Sequence, residues 1–401
     1  MAVSWSRALA GPRLAAFSLC PHGFGDLLRR HRVLLTLVLL LGCAVLIYLA
    51  CEWFVNAVEW LGVRMAVGSA AVGTVLAAAG TALPESVVTL VAVLFGSQET
   101  GADVGVGAAL GGPLVVGSLA YAVVGVVLLT NRRAVHRSAG NRVVAAERVG
   151  AAGAPTGSSR GGGAAAAGGP TDAETAQLAE LDTRSLARDQ TWFLVSFALA
   201  AGLGLVAFTV KPWLGWVFFG VYAVYCWRQV RAGGEAHSAE DLEPLKAQPR
   251  RERPSTTAVV VQVVVSLAVI FAASQVFVGQ LEALAPQLGL SASLVALLLA
   301  PVATELPEML NALIWVRKGK VSLALGNLAG SMVIQATIPT GLGLAFTSWH
   351  VQGPLLLAAV ATLLCVGYLL VLFATRRVTA VRLAVASSAY AAFAAGLALT
   401  V

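Results

Sequence analysis

Ten apolar stretches recur along the chain, at about 33–53, 65–95, 103–130, 191–210, 212–228, 256–281, 290–316, 321–346, 353–374 and 381–400. Each is long enough to cross a bilayer as a helix. In hydrocarbon a backbone must satisfy its own hydrogen bonds, and a helix does so within one segment. The expected fold is all-α: a polytopic membrane protein of about ten transmembrane helices. Composition agrees, since 58% of the 401 residues are hydrophobic and 12% charged. A soluble globular chain carries about 25% charge.

The net charge is +7, but the basic residues form short clusters between apolar stretches. That placement reads as membrane topology, not as a nucleic-acid patch. Arg132, Arg133, Arg137, Arg142 and Arg148 follow the third stretch, and Arg228, Arg231, Arg250, Arg251 and Arg253 the fifth. Arg317, Lys318 and Lys320 follow the seventh, and Arg376, Arg377 and Arg382 the ninth. The opposite loops are acidic ("SQETGAD") or neutral ("TSWHVQG"). The positive-inside rule then puts the basic loops in the cytoplasm and both termini outside. Arg29, Arg30 and Arg32, ahead of the first stretch, run against this assignment; the concordant loops outweigh them. The excess of Arg over Lys points to a prokaryote, so the expected location is a prokaryotic plasma membrane. The expected partners are the lipid bilayer and inorganic cations, with no nucleic acid and no bound cofactor. Cys20, Cys43, Cys51, Cys226 and Cys365 lack metal-like spacing and read as small apolar residues without disulfides.

Two segments read as extramembrane. Residues 131–190 contain "GAPTGSSRGGGAAAAGGP", a low-complexity linker with too little apolar surface to fold. Its end carries a capping box, Thr171 with Glu174, ahead of a short helix. Residues 229–255 are charged and contain proline; neither segment carries a chemical motif.

The chain also repeats itself. "GTALPE" at 80–85 matches "ATELPE" at 303–308. Downstream, "GVGAALGGPLV" (105–115) matches "LALGNLAGSMV" (323–333), and upstream "CEWFVNAVEWLGV" (51–63) echoes "SQVFVGQLEALAP" (274–286). Five stretches per copy is an odd number, so the two five-helix repeats are inverted. The organisation is an N-terminal segment (1–32), a first repeat core (33–130), the linker, stretches four and five (191–228), the charged loop, and a second repeat (256–400). Inverted repeats bring equivalent motifs together near the midplane, where secondary transporters bind their cargo.

Pro84 and Pro307 lack an N–H, so the carbonyls of Gly80 and Ala303 lose helix partners and those of Thr81 and Thr304 are loosened. Such backbone is tolerated at membrane depth only where it packs in protein or lines a polar cavity. Free carbonyls beside Glu85 and Glu308 make a hard-oxygen set, suited to Ca2+ or Na+ as metal and not to a soft metal. Glu305 and Glu308 are three residues apart, on one helix face. They converge on one cavity if a divalent cation sits there or one takes a proton. The competing reading of Glu305 is a hydrogen bond to a neighbouring polar group such as Gln335. A lone membrane Glu is also often helix glue; duplication after proline argues against that here. Gly105, Gly107, Gly111 and Gly112 read first as close helix packing. Asn327, Ser331 and Gln335 recur every four residues on one face, as polar glue or as cation ligands.

At these residues the chain resembles the sodium/calcium exchanger membrane region of the Ca2+:cation antiporter superfamily. The family pattern is Gly-Thr-Ser-Leu-Pro-Glu on helices two and seven and Gly-Asn-x-x-Gly-Ser-Asn/Asp on three and eight. Gly80, Thr81, Leu83, Pro84 and Glu85 match in one copy, and Thr304, Leu306, Pro307 and Glu308 in the other. Gly326, Asn327, Gly330 and Ser331 match on helix eight. The resemblance implies a calcium site from Glu85, Glu308 and the carbonyls of Thr81 and Thr304. The chain departs from the pattern at Ala82, Glu305, Ala108, Pro113 and Met332, where sodium-holding oxygens are replaced and a carboxylate is added.

The expected function is secondary antiport of Ca2+ against Na+ or H+ by alternating access. The alternatives are a Na+/H+ exchanger using the same carboxylates, and a channel or transport-dead membrane protein. An enzyme is not expected: His22, His31, His136, His237 and His350 lie outside or at the ends of the stretches, with no HExxH or Ser/His arrangement.

Overall fold

The computed structural model describes residues 22–68, 71–82, 86, 89–90, 110–130, 178, 181–206, 211–232, 242–284, 298–351 and 353–400. The described residues form helices and connections, with no strand among them. In chain order the helices are α1 (His22–Met65), α2 (Val72–Ala82), α3 (Leu110–Thr130), α4 (Thr183–Leu205), α5 (Lys211–Arg231) and α6 (Thr256–Leu284). Then come α7 (Ala300–Thr304), α8 (Leu306–Arg317), α9 (Val321–Phe346), α10 (Pro354–Ala374), α11 (Ala380–Val385) and α12 (Ser387–Thr400). Six helical segments among the described residues are long and apolar enough to cross a membrane. Large apolar side chains such as Leu41, Val195, Trp213, Val264 and Leu364 face outward. That pattern suits lipid as solvent.

The axis of the bundle is α9, buried on nearly all sides from Val321 to Leu344. A helix apolar all round belongs in a core. Small residues let its neighbours approach closely. A Cβ at Gly330 would stand 2.1 Å from the Thr74 carbonyl oxygen of α2. A Cβ at Gly215 of α5 would stand 2.5 Å from the Gly341 carbonyl oxygen. Both α2 and α3 contain a π-helical stretch, Val72–Ala77 and Val116–Ala120.

Several boundaries differ from those read in the sequence. The first helix continues past residue 53 to Met65, although Glu52 stands at the edge of that part and Asn56 and Glu59 lie on it. It can do so because each is satisfied there. Glu52 pairs with Lys246 at 3.0 Å, and Glu59 pairs with Lys320 and accepts from Trp315 Nε1 at 2.8 Å. The fourth helix begins at Thr183, inside the expected linker, because Asp182 caps it by accepting from the Ser185 amide at 3.1 Å. Thr171 and Glu174 lie outside the described residues.

Residues 242–255 form a tied strap. Leu245 is fully buried beside Ala57, Trp60 and Val259. Trp60 Nε1 donates to the Glu243 carbonyl at 2.9 Å. Asn56 Nδ2 donates to the Pro244 carbonyl at 3.2 Å, and Asn56 Oδ1 accepts from the Lys246 amide at 3.0 Å. Arg64 donates to the Pro254 carbonyl, and Lys318 pairs with Glu243 at 2.6 Å. The strap, the end of α1 and the α8–α9 turn therefore share one end of the bundle.

Candidate cation site

The seventh apolar stretch is a broken helix. α7 stops at Glu305, whose φ of −82° and ψ of 2° leave the helical well, and α8 starts at Leu306. Pro307 thus sits in the first turn of a new helix, where a missing N–H costs nothing. The sequence places loosened carbonyls at Ala303 and Thr304 within one span; in the structure the helix breaks just after them, at Glu305. Glu308 falls in the same first turn, where the positive end of the helix dipole favours a carboxylate. Thr304 Oγ1 donates to the Pro301 carbonyl at 3.1 Å.

Glu305 and Glu308 are both fully buried. Glu305 Oε1 accepts from Gln335 Nε2 of α9 at 2.6 Å. This is the pairing set out above as the competing reading. Gly112 of α3 makes the room, since a Cβ there would stand 2.4 Å from that oxygen. Near Glu308, the Cys51 thiol of α1 donates to the Pro307 carbonyl at 3.9 Å.

In the first copy, Thr81 is buried at the end of α2 and its hydroxyl donates to the Ala77 carbonyl at 3.3 Å. Gly80 admits the Phe54 ring, 2.7 Å from where its Cβ would stand. Pro84 and Glu85 lie outside the described residues, as do Gly105, Gly107 and Ala108.

The α8–α9 hairpin sets a register. Gly319 turns with φ of 76°, and the Lys320 amide donates to the Trp315 carbonyl at 2.8 Å. The Glu305–Gln335 bond fixes the far end. Stepping inward three residues on α8 and four on α9 puts Glu308 level with Ser331. The next step puts Asn311 level with Asn327. All four are fully buried. Asn311, Asn327 and Ser331 have side-chain polar atoms with no hydrogen-bond partner among the described residues. Each unmet group costs about 1–3 kcal/mol when buried, so three on two facing helices is a costly arrangement that a ligand would relieve.

Asn311 was not singled out in the sequence, where a lone Asn after an apolar run resembles helix glue. A signal was present: Asn311 and Asn327 are each eight residues from Gly319. The donors along this hairpin are carboxylate, amide and hydroxyl oxygens. Such a set suits a hard cation.

A buried carboxylate at a broken helix inside an all-helical membrane bundle defines a transporter-like protein. The chain belongs to the sodium/calcium exchanger protein family, whose model matches residues 35–148 and 258–399. It is 33% identical over 132 residues to "Putative antiporter CaxA" of Alkalimonas amylolytica, a match spanning 32% of this chain and 39% of that protein. Its fold is similar to the sodium-calcium exchanger NCX_Mj. Against that protein soaked with zero Na+ and Ca2+, the TM-score is 0.62 at 16% identity, covering 91% of this chain and 99% of the other. Against the form soaked with 10 mM Na+ and zero Ca2+, it is 0.63 at 17% identity, with the same coverage.

Proposed function

We propose that the chain is a secondary cation antiporter working by alternating access, exchanging Ca2+ against Na+ or H+. The observation that carries this reading is the break at Glu305, which sets Glu308 at a helix N-terminus level with Ser331. Family membership and the similarity to proteins named as antiporters support it. The resemblance adds Glu85 and the carbonyls of Thr81 and Thr304 as partners of Glu308. In this reading the protein works in a prokaryotic plasma membrane, carries inorganic cations, catalyses no covalent reaction and needs no cofactor.

The test is gradient-driven uptake of radiolabelled Ca2+ into proteoliposomes, with Na+ and H+ gradients imposed separately. Glu85→Gln and Glu308→Gln keep side-chain shape and remove charge. Each should abolish uptake while membrane insertion stays normal. Wild-type exchange in either variant would overturn the assignment.

A second reading is exchange of a monovalent cation against H+ by the same carboxylates. It is favoured by Glu305, a buried carboxyl where the resembled family has a hydroxyl. The discriminating measurement is exchange against pH, with and without Na+, in wild type and Glu305→Ser. A flattened pH profile and a stronger Na+ response in the variant would assign the proton to Glu305. Identical profiles with lowered stability would leave Glu305 as the hydrogen-bond partner of Gln335.

A further inference from the structure

We infer that Asn311 is a cation-contact residue, an uncharged oxygen ligand that receives the ion between Glu308 and the basic end of the bundle. The inference rests on the antiporter reading and extends its path by one turn. Three observations carry it. Asn311 follows Glu308 by three residues on α8, and so lies on the same row and nearer Arg317 and Lys318. It is fully buried, and neither its amide oxygen nor its amide nitrogen has a partner among the described residues. The hairpin register brings it level with Asn327, which is buried and unpartnered in the same way.

Helix glue is the ordinary use of a membrane Asn, and glue works through hydrogen bonds. The rung at Glu305–Gln335 is glued; the rung at Asn311 and Asn327 is not, among the described residues. Two amide oxygens at one level can solvate a cation without holding it by charge. A site of that kind favours passage, because an ion bound too tightly does not leave. The carboxylate of Glu308 would hold the ion, and the amides would hand it on.

The experiment uses the full chain in membrane vesicles of both orientations, with Ca2+ as probe. Asn311→Leu should raise the Ca2+ concentration for half-maximal exchange about tenfold at the face carrying Arg317 and Lys318. The other face should stay within about twofold. A structural defect would move both faces together, and that result, or no change at either, overturns the inference. Asn311→Asp keeps the size and adds charge. It should lower the half-maximal concentration at the same face, and it carries the test if Asn311→Leu does not insert. Wild-type exchange separates this inference from the antiporter reading. Loss of gradient-driven exchange in wild type would sink antiport, whereas intact wild-type exchange with an unaltered half-maximal Ca2+ concentration at the basic face in both Asn311 variants would sink Asn311 alone.

Discussion

Gly330 shows how tightly a single residue is constrained in this bundle. A methyl group there would meet the backbone of Thr74, with its oxygen at 2.1 Å and its carbonyl carbon at 2.7 Å. Backbone cannot swing aside as a side chain can, so α2 and α9 would have to separate. Gly330→Ala should cost about 1–3 kcal/mol or more and lower the thermal midpoint in detergent. Gly202 is the control: nothing lies within 4 Å of its added Cβ. Gly202→Ala should hold or raise stability, by up to about 1 kcal/mol. Equal midpoints for the two variants would show that the close approach of α2 and α9 is not needed. The glycine pattern was visible in the sequence as a packing signal. The neighbour each glycine admits was not, because pairing of helices is a tertiary fact. The same holds for Gly112, which reads as helix packing yet accommodates a carboxylate, and for Glu305, whose two readings only a contact to Gln335 could separate.

At the scale of elements, the strap is the part least legible in the sequence. Residues 242–255 look like a charged loop, yet their backbone carbonyls are met by side chains from α1. The signal sits on the partner: Asn56, Trp60 and Arg64 recur every four residues near the end of α1, one face with donors to spare. Asn56 is central, because Gln262 Nε2 of α6 also donates to its Oδ1 at 3.1 Å, which ties α1, α6 and the strap together. Asn56→Ala would leave the Lys246 amide and the Pro244 carbonyl without this partner. The expected cost is about 1–3 kcal/mol, with faster tryptic cleavage at Arg250 and Arg251. Cleavage at the wild-type rate would mean that the buried Leu245 alone holds the strap. The seventh helix was legible only in part. Pro307 marks where an N–H is missing, but the sequence reads as one loosened span, and the break into two helices at Glu305 is a feature of the structure.

At the scale of the whole molecule, the ends of the bundle differ in charge, and this predicts its orientation. One end gathers the strap, the α8–α9 turn and the turn after α10, with Arg250, Arg251, Arg253, Arg317, Lys318, Lys320, Arg376 and Arg377. The other gathers the end of α4 and the 347–351 turn, where Trp349 Nε1 donates to the Ala200 carbonyl at 2.9 Å and the Val351 amide to the Gly204 carbonyl at 3.1 Å. Residues 342–353 contain no Arg or Lys. Among the described residues, the one cluster opposed to this polarity is Arg29, Arg30 and Arg32. α1 is a single helix from His22 to Met65, so it carries that cluster to the end away from the strap. Positive charge resists translocation mainly in short loops near span ends, and several such loops outvote one. The basic end should therefore face the cytoplasm. With the five cysteines replaced, R253C and H350C supply one exposed thiol at each end. A membrane-impermeant maleimide on intact cells should label H350C at once and R253C only after the membrane is opened. The reverse pattern would mean that the Arg29–Arg32 cluster sets the orientation. Labelling of both from one side would contradict the placement of these two turns at opposite ends.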